Sequence, residues 1–201
     1  MTSGRPPAAP IAACASAAEA RAARRAGFPT VLVGIGAARG VPDGRLVSFG
    51  VAGGLNGLEV GTVIDATRVV AEDGSVLWEG PGLGIPGART GTIVALDRIA
   101  DTPEERCRLH ERTGAVAVDM ESGVLARSGR LDGCVRGLSD TPDRPLGPLA
   151  RAVDPFGRPR PAELVKALVL HPAATARALA GIWIALRSLS SARRPEGAAS
   201  T

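Results

Sequence analysis

The stretch that decides the fold runs from Leu46 to Val70 and reads LVSFGVAGGLNGLEVGTVIDATRVV. Leu46–Ala52 is almost unbroken apolar sequence that stops at Gly53-Gly54, and Thr62–Val70 is rich in β-branched residues. Branched side chains suit the pleated backbone of a strand. Near-continuous apolar runs, as opposed to alternating ones, mark strands covered on both faces, as in layered proteins with parallel sheets.

Further strands and helices flank this pair. On the N-terminal side Thr30–Ile35 (TVLVGI) predicts a strand and Ile11–Ala15 a weaker first one. Between them Ser16–Ala26 predicts a helix, with Ser16 as N-cap and Glu19 three residues on, the capping-box spacing. On the C-terminal side Ser75–Trp78 predicts a short hairpin partner, Gly91–Leu96 a strand and Pro103–Arg112 a charged helix. Ala115–Val118 then reads as a buried strand, Ser122–Ser128 as the start of a helix and Cys134–Leu138 as the last strand. This alternation predicts an α/β fold of three layers, αβα, around a central mixed, mainly parallel twisted sheet spanning residues 1–158. Residues 1–8 and 195–201 read as disordered.

From Pro159 the texture changes. Residues 159–194 predict two C-terminal helices divided near Pro172, packed as an extension on the domain. Leu168, Thr175, Leu179, Ile182, Leu186 and Leu189 follow helical spacing, and Arg177, Arg187, Arg193 and Arg194 share the segment with Trp183. Two readings stand: a helix docked on the core, or a basic amphipathic helix in peripheral contact with an anionic membrane.

Composition narrows the function. Hydrophobic residues make up 45% of the 201, enough for one sizeable core. The net charge is only +4 and aromatics are 2%, so the stacking platforms of a nucleic-acid binder are missing and none is expected as partner. Cys14, Cys107 and Cys134 are odd in number with no CxxC spacing, which reads as free thiols in a cytoplasmic setting. His110 and His171 are the only histidines and HERTG is not a zinc-type HExxH, so no metal site is expected. The apolar N-terminal run is Pro-broken and Ala-rich, unlike a secretory leader. No window offers about 18 uninterrupted apolar residues, as a spanning helix needs.

Parallel sheets carry ligands beyond the carboxyl ends of their strands. Three polar groups fall at such ends: Gly53-Gly54, Asp119–Glu121 and Ser139-Asp140. Gly114–Ser122, GAVAVDMES, sets two carboxylates at the end of a buried strand, where each needs a partner. From the residues alone, helix cap and binding site both remain open there.

Three segments together resemble the nucleoside phosphorylase/nucleosidase superfamily. VSFGVAGGLNGLEVGTVIDATRVV resembles its central strand–turn–strand signature, AVAVDMESGVLA its ribose-binding Met-Glu segment, and VRGLSDTPD its Arg-x-x-Ser-Asp base-recognition turn. Order and spacing agree from Val47 to Asp143. The tail, SDTPDRPLGPLARAVDPFGRPRPAELVKALVLHPAATARAL, is similar to the hopanoid-associated branch. That branch implies release of adenine from adenosylhopane by hydrolysis or phosphorolysis, leaving ribosylhopane or its phosphorylated form; a cytoplasmic protein is expected, with contact at the inner face of the membrane as the alternative. A small-molecule nucleosidase or phosphorylase, such as one for methylthioadenosine, and a nucleoside-binding member without activity are the alternatives.

The resemblance assigns roles residue by residue. It implies that Glu121 binds the ribose hydroxyls and stabilises an oxocarbenium-like state, with Met120 packed on the sugar. Asp140 would hold or deliver a proton at purine N7 as general acid, oriented by Ser139. Glu19 matches the carboxylate that activates water, beside its alternative reading as capping-box partner of Ser16. Ala52 and Gly53 would bring backbone close to the nucleoside, and Ile99 stands where an aromatic residue usually stacks on the base. Asp119 reads as helix cap or supporting residue. No cofactor is implied, with phosphate as a candidate co-substrate. The place of a phosphate-binding Arg carries Ser48 and that of a ligand-contacting hydroxyl carries Val51, which favours water unless Arg39 or Arg45 substitutes. The superfamily implies a homo-oligomer. Two departures stand out: little chain remains between VLVGIG and LVSFG for a crossover helix, and the Glu121–Ser139 interval is short by about one helical turn of 3.6 residues.

Overall fold

The computed structural model describes residues 9–100, 102–152, 154, 158 and 160–194, so both termini read as disordered lie outside the described residues. Eight strands form one mixed sheet: β1 (Ile11–Cys14), β2 (Thr30–Leu32), β3 (Leu46–Gly54), β4 (Val63–Val70), β5 (Val76–Glu79), β6 (Arg89–Ala95), β7 (Ala117–Asp119) and β8 (Leu131–Asp140). The helices are α1 (Ala17–Arg25), α2 (Pro103–Thr113), α3 (Ser122–Arg127), α4 (Pro161–Leu170) and α5 (Pro172–Ser191).

The sheet is mainly parallel, as its apolar strands predict. β1 pairs in parallel with β2 and β3, β3 with β8, β4 with β6, and β6 with β7. The antiparallel pairs are β3–β7, β4–β5 and β4–β8. These pairings close a circuit, β3–β8–β4–β6–β7 and back to β3 through Gly53↔Val118 and Gly54↔Ala117. The sequence reading ends the third strand at Ala52. The structure carries it through both glycines, because pairing with β7 on one edge and β8 on the other satisfies their backbone groups.

Opposite faces of β3 serve different cores. Leu46 and Ala52 join a cluster with Ile64, Ile93, Cys134, Leu138 and Leu125 of α3. Val47 and Phe49 join Ala20 and Ala23 of α1, Val135, and Leu189 of α5. Helices thus cover both faces, and α2 adds a third cluster through Leu109 against Val94 and Val118.

Local sequence accounts for the helix ends. Ser16 caps α1: the Glu19 amide donates to Ser16 Oγ at 3.3 Å and the Ser16 amide to Glu19 Oε2 at 2.8 Å. Thr102 caps α2 ahead of Pro103, and Gly114 ends it at φ 66°, a left-handed turn that glycine adopts freely. Between β2 and β3 the chain forms only a 3-10 turn, Ile35–Ala37, in place of a crossover helix, and α3 stops at Arg127.

Of the residues at helical spacing, Thr175 and Leu189 are buried while Leu168 and Leu179 are 41% and 40% exposed, and the buried face of α5 is Thr175, Ala178, Gly181, Ala185 and Leu189. The cause is close approach: Gly181 lies directly on the Ser139 carbonyl, and a Cβ at Gly137 would stand 3.0 Å from the Ala185 carbonyl. Where the backbones meet, only Gly181 and Ala185 fit, and Leu189 packs over Gly137. No described helix is long and apolar enough to cross a membrane.

Candidate active site

A cavity of about 270 Å³ lies where β1, β3, β6, β7 and β8 end. Glu19, Ala52, Gly53, Ile99, Met120, Glu121, Ser139 and Asp140, all eight residues singled out from the sequence, line it. Most of the remaining wall is apolar and includes Ile35, Val51, Leu146, Leu149, and Ile182 and Leu186 of α5. Low polarity strengthens every charge interaction inside.

Two buried arginines organise the carboxylates. Arg136, on β8, is 1% exposed and pairs with Asp119, with Glu121 Oε2 at 3.5 Å and with Ser48 Oγ at 2.6 Å. Burial works against its charge, but the Asp119, Glu121 and Glu19 carboxylates and the Cys134 thiol outweigh it and hold the guanidinium firmly protonated. Its Nε has no hydrogen-bond partner among the described residues. Arg106, on α2, is 2% exposed; it pairs with Asp140 and donates to the carbonyls of Ala100 at 3.0 Å and Gly54 at 3.3 Å.

Each sequence candidate has a definite setting. Glu121 follows β7 and is buried, and the Gly36 amide donates to its Oε1 at 3.0 Å. Burial pushes the Glu121 carboxyl up to about 7; Arg136 opposes that rise, and the Asp119 and Glu19 charges add to it. Asp119 acts at the start of α3, taking the Ser122 amide at 3.1 Å and the Ser122 hydroxyl at 2.5 Å. Glu19 completes the capping box and also accepts from the Val51 amide at 2.9 Å, tying α1 to β3. Gly50 is required there, because a Cβ would collide with both the Glu19 carboxylate and the Arg136 guanidinium. Ser139 donates to Asp140 Oδ1 at 2.6 Å. Ile99 is 40% exposed at the cavity rim.

Sequence reasoning missed Arg106, and took in Arg136 only as the first residue of the Arg-x-x-Ser-Asp turn, with no role. Arg136 left a usable signal: a charged residue inside the apolar run Cys134–Leu138 must be paired. Arg106 left almost none, since PEERCRLHER alternates charges with no clear inward face. Ser48, at the expected phosphate position, is buried under Arg136, and neither Arg39 nor Arg45 lines the cavity. The lining cations are Arg98 and Arg106; Arg98 pairs with Glu72 and Glu105. Among the described residues no group of three or more His, Cys, Asp or Glu is placed to hold a metal ion.

The closed mixed sheet with its cavity at the strand ends has the fold of purine nucleosidases. Among solved structures it is similar to the 5'-methylthioadenosine/S-adenosylhomocysteine nucleosidase of Helicobacter pylori, at 17% identity over 90% of this chain and 95% of that one, TM-score 0.51. The Neisseria meningitidis enzyme of the same name, in complex with methylthio-immucillin-A, is 19% identical over 87% and 97%, TM-score 0.50. Futalosine hydrolase of H. pylori is 16% identical over 90% and 94%, TM-score 0.50. At these identities the likeness is one of fold. No family model and no curated protein matches the chain.

Proposed function

We propose that this chain is a purine nucleosidase that breaks an N-glycosidic bond with water. The observation that carries the reading is the convergence of Glu19, Glu121 and Asp140, from three distant segments, on one largely apolar cavity. Glu121 takes the ribose hydroxyls, and its negative charge opposes the positive charge that builds on the sugar. Glu19 accepts the proton of the attacking water as the new C–O bond forms. The C–N bond breaks with its electron pair moving to the base. The departing purine takes a proton at N7 from solvent by way of Asp140 and Ser139, and Glu19 returns the water proton to solvent, so one water adds across the bond. Arg106 sets the Asp140 carboxylate, so the base-side group is an ion pair and not a lone acid.

Charge favours water over phosphate as nucleophile. Four buried carboxylates, Glu19, Asp119, Glu121 and Asp140, line the cavity beside the cations Arg98 and Arg106, and the buried Arg136 pairs with Asp119 and Glu121. A phosphate dianion would enter a site already rich in negative charge. Adenine release from methylthioadenosine, measured with and without phosphate, tests this. Equal release in both buffers is expected, and dependence on phosphate would refute hydrolysis. No release in either, with ligand binding unchanged in Glu121→Gln, would reduce the chain to a binding protein.

A second reading keeps the chemistry and changes the substrate to an adenosylated hopanoid lipid. It is favoured by the apolar wall that Ile182 and Leu186 give the cavity from a helix whose outer face carries exposed Leu179 and Trp183. Adenine release from adenosylhopane, compared with methylthioadenosine, separates the two substrates.

A further inference from the structure

The helix pair α4–α5 presents a second surface, and its chemistry is independent of the cavity's. Val169, Leu170, Trp183 and Val165 are 72%, 60%, 59% and 58% exposed. Side chains of this size and apolarity are normally buried, and a concentration of them marks an interaction surface. The two helices are packed together through Leu164, Ala178 and Ile182, and the Thr175 hydroxyl bonds the Ala167 carbonyl at 2.9 Å. Their outer faces therefore belong to one body.

The same two helices are rich in cations. Lys166, Arg177, Arg187 and Arg193 are exposed on the same segment, where Glu163 is the sole acidic residue from Pro161 to Arg194. The Arg187 guanidinium lies 5.3 Å from the Trp183 ring centre, a stacked pair that joins apolar body and charge. A second copy of the chain fits poorly: a two-fold interface sets a patch against itself, and these cations would face each other. An anionic lipid surface complements both properties, apolar side chains entering the headgroup region and cations meeting lipid phosphates.

We propose that the outer face of α4–α5 docks the protein on an anionic lipid surface. Helix α5 then has three faces with three tasks. Gly181 and Ala185 seat it on β8, Ile182 and Leu186 wall the cavity, and Leu179 and Trp183 meet lipid. The cavity is thereby held one helix-width from the bilayer.

Co-sedimentation of the full chain with phosphatidylcholine vesicles, with and without phosphatidylglycerol, tests the proposal at low and high salt. Four exposed cations near a negative surface predict partition tighter on the order of a thousandfold with phosphatidylglycerol, lost at high salt. Arg177→Glu/Arg187→Glu removes the lipid preference, and Val169→Asp/Trp183→Ser removes binding. Circular dichroism confirms that these exposed changes leave the fold intact. Equal binding to both vesicle types, or none to either, overturns the proposal. Self-association that the same variants abolish, without vesicle binding, assigns the face to a second copy and also overturns it. Neither outcome depends on whether the cavity releases adenine.

Discussion

Replacing Gly181 by Ala sets two effects of opposite sign against each other. Gly181 lies in the interior of α5, where alanine is the better helix former by about 1 kcal/mol. Propensity alone therefore predicts a more stable protein. The added methyl, however, falls on the Ser139 carbonyl, closer than any real contact, with Val60 also nearby at 3.7 Å. The Ser139 carbonyl is backbone of β8 and cannot swing aside as a flexible side chain would, while the Val60 methyl is at ordinary contact distance. Helix α5 must back away from β8, loosening Ala185 and Leu189 against Gly137, where they lie so close that a Cβ on Gly137 would stand 2.9 to 3.1 Å from them. Overpacking of this kind costs about 1–3 kcal/mol. Because the clash is with rigid backbone, the upper part of that range applies, about 2–3 kcal/mol, and it outweighs the gain of about 1 kcal/mol for a net loss of about 1–2 kcal/mol. In a domain of this size that lowers Tm by about 2–8 °C, read by circular dichroism. Ala176→Gly, at an exposed position on the same helix, reports the propensity effect by itself. A Tm for Gly181→Ala equal to or above that of the unaltered chain would refute the seating of α5 on β8.

Three other perturbations probe the buried charges. Glu121 titrates near 7 when folded, against an ordinary value of 4.5. Its folded form holds a proton more tightly, so stability falls as pH rises through that window. Glu121→Gln lacks the penalty: denaturation in urea will show it gaining stability over the unaltered chain at pH 8, by up to about 3 kcal/mol, and little at pH 4. Arg106→Met strands the buried Asp140 carboxylate, at a cost of about 3–5 kcal/mol, and adding Asp140→Asn recovers most of it in a double-mutant cycle. Ser16→Ala breaks the capping box and costs about 1 kcal/mol by thermal denaturation.

Much of the fold was legible because buried strands announce themselves. Leu46–Ala52, Thr62–Val70 and Gly91–Leu96 are apolar and β-branched, and strands lie at all three. Element ends were less legible, because they depend on partners distant in sequence. β8 extends from Leu131 to Asp140 since β3 and β4 bond its two edges, and nothing within those ten residues reveals that. The same holds for the inward face of α5, where spacing marked Thr175 and Leu189, which are buried, and Leu179, which is exposed, while close backbone contact selected Gly181 and Ala185. In the cavity wall the carboxylates stood out at strand ends, while Arg106 and Arg136 took meaning only from what they touch.

The position of β8 has a consequence for synthesis. It lies between β3 and β4, yet it is the last strand to leave the ribosome. Until Asp140 emerges, β3 and β4 each present an open edge of unpaired amides and carbonyls, the kind that recruits strands from other chains. The ring closes late and through contacts distant in sequence, which slows folding. The nascent chain thus passes through a vulnerable half-sheet, and α5 seals it only after residue 191.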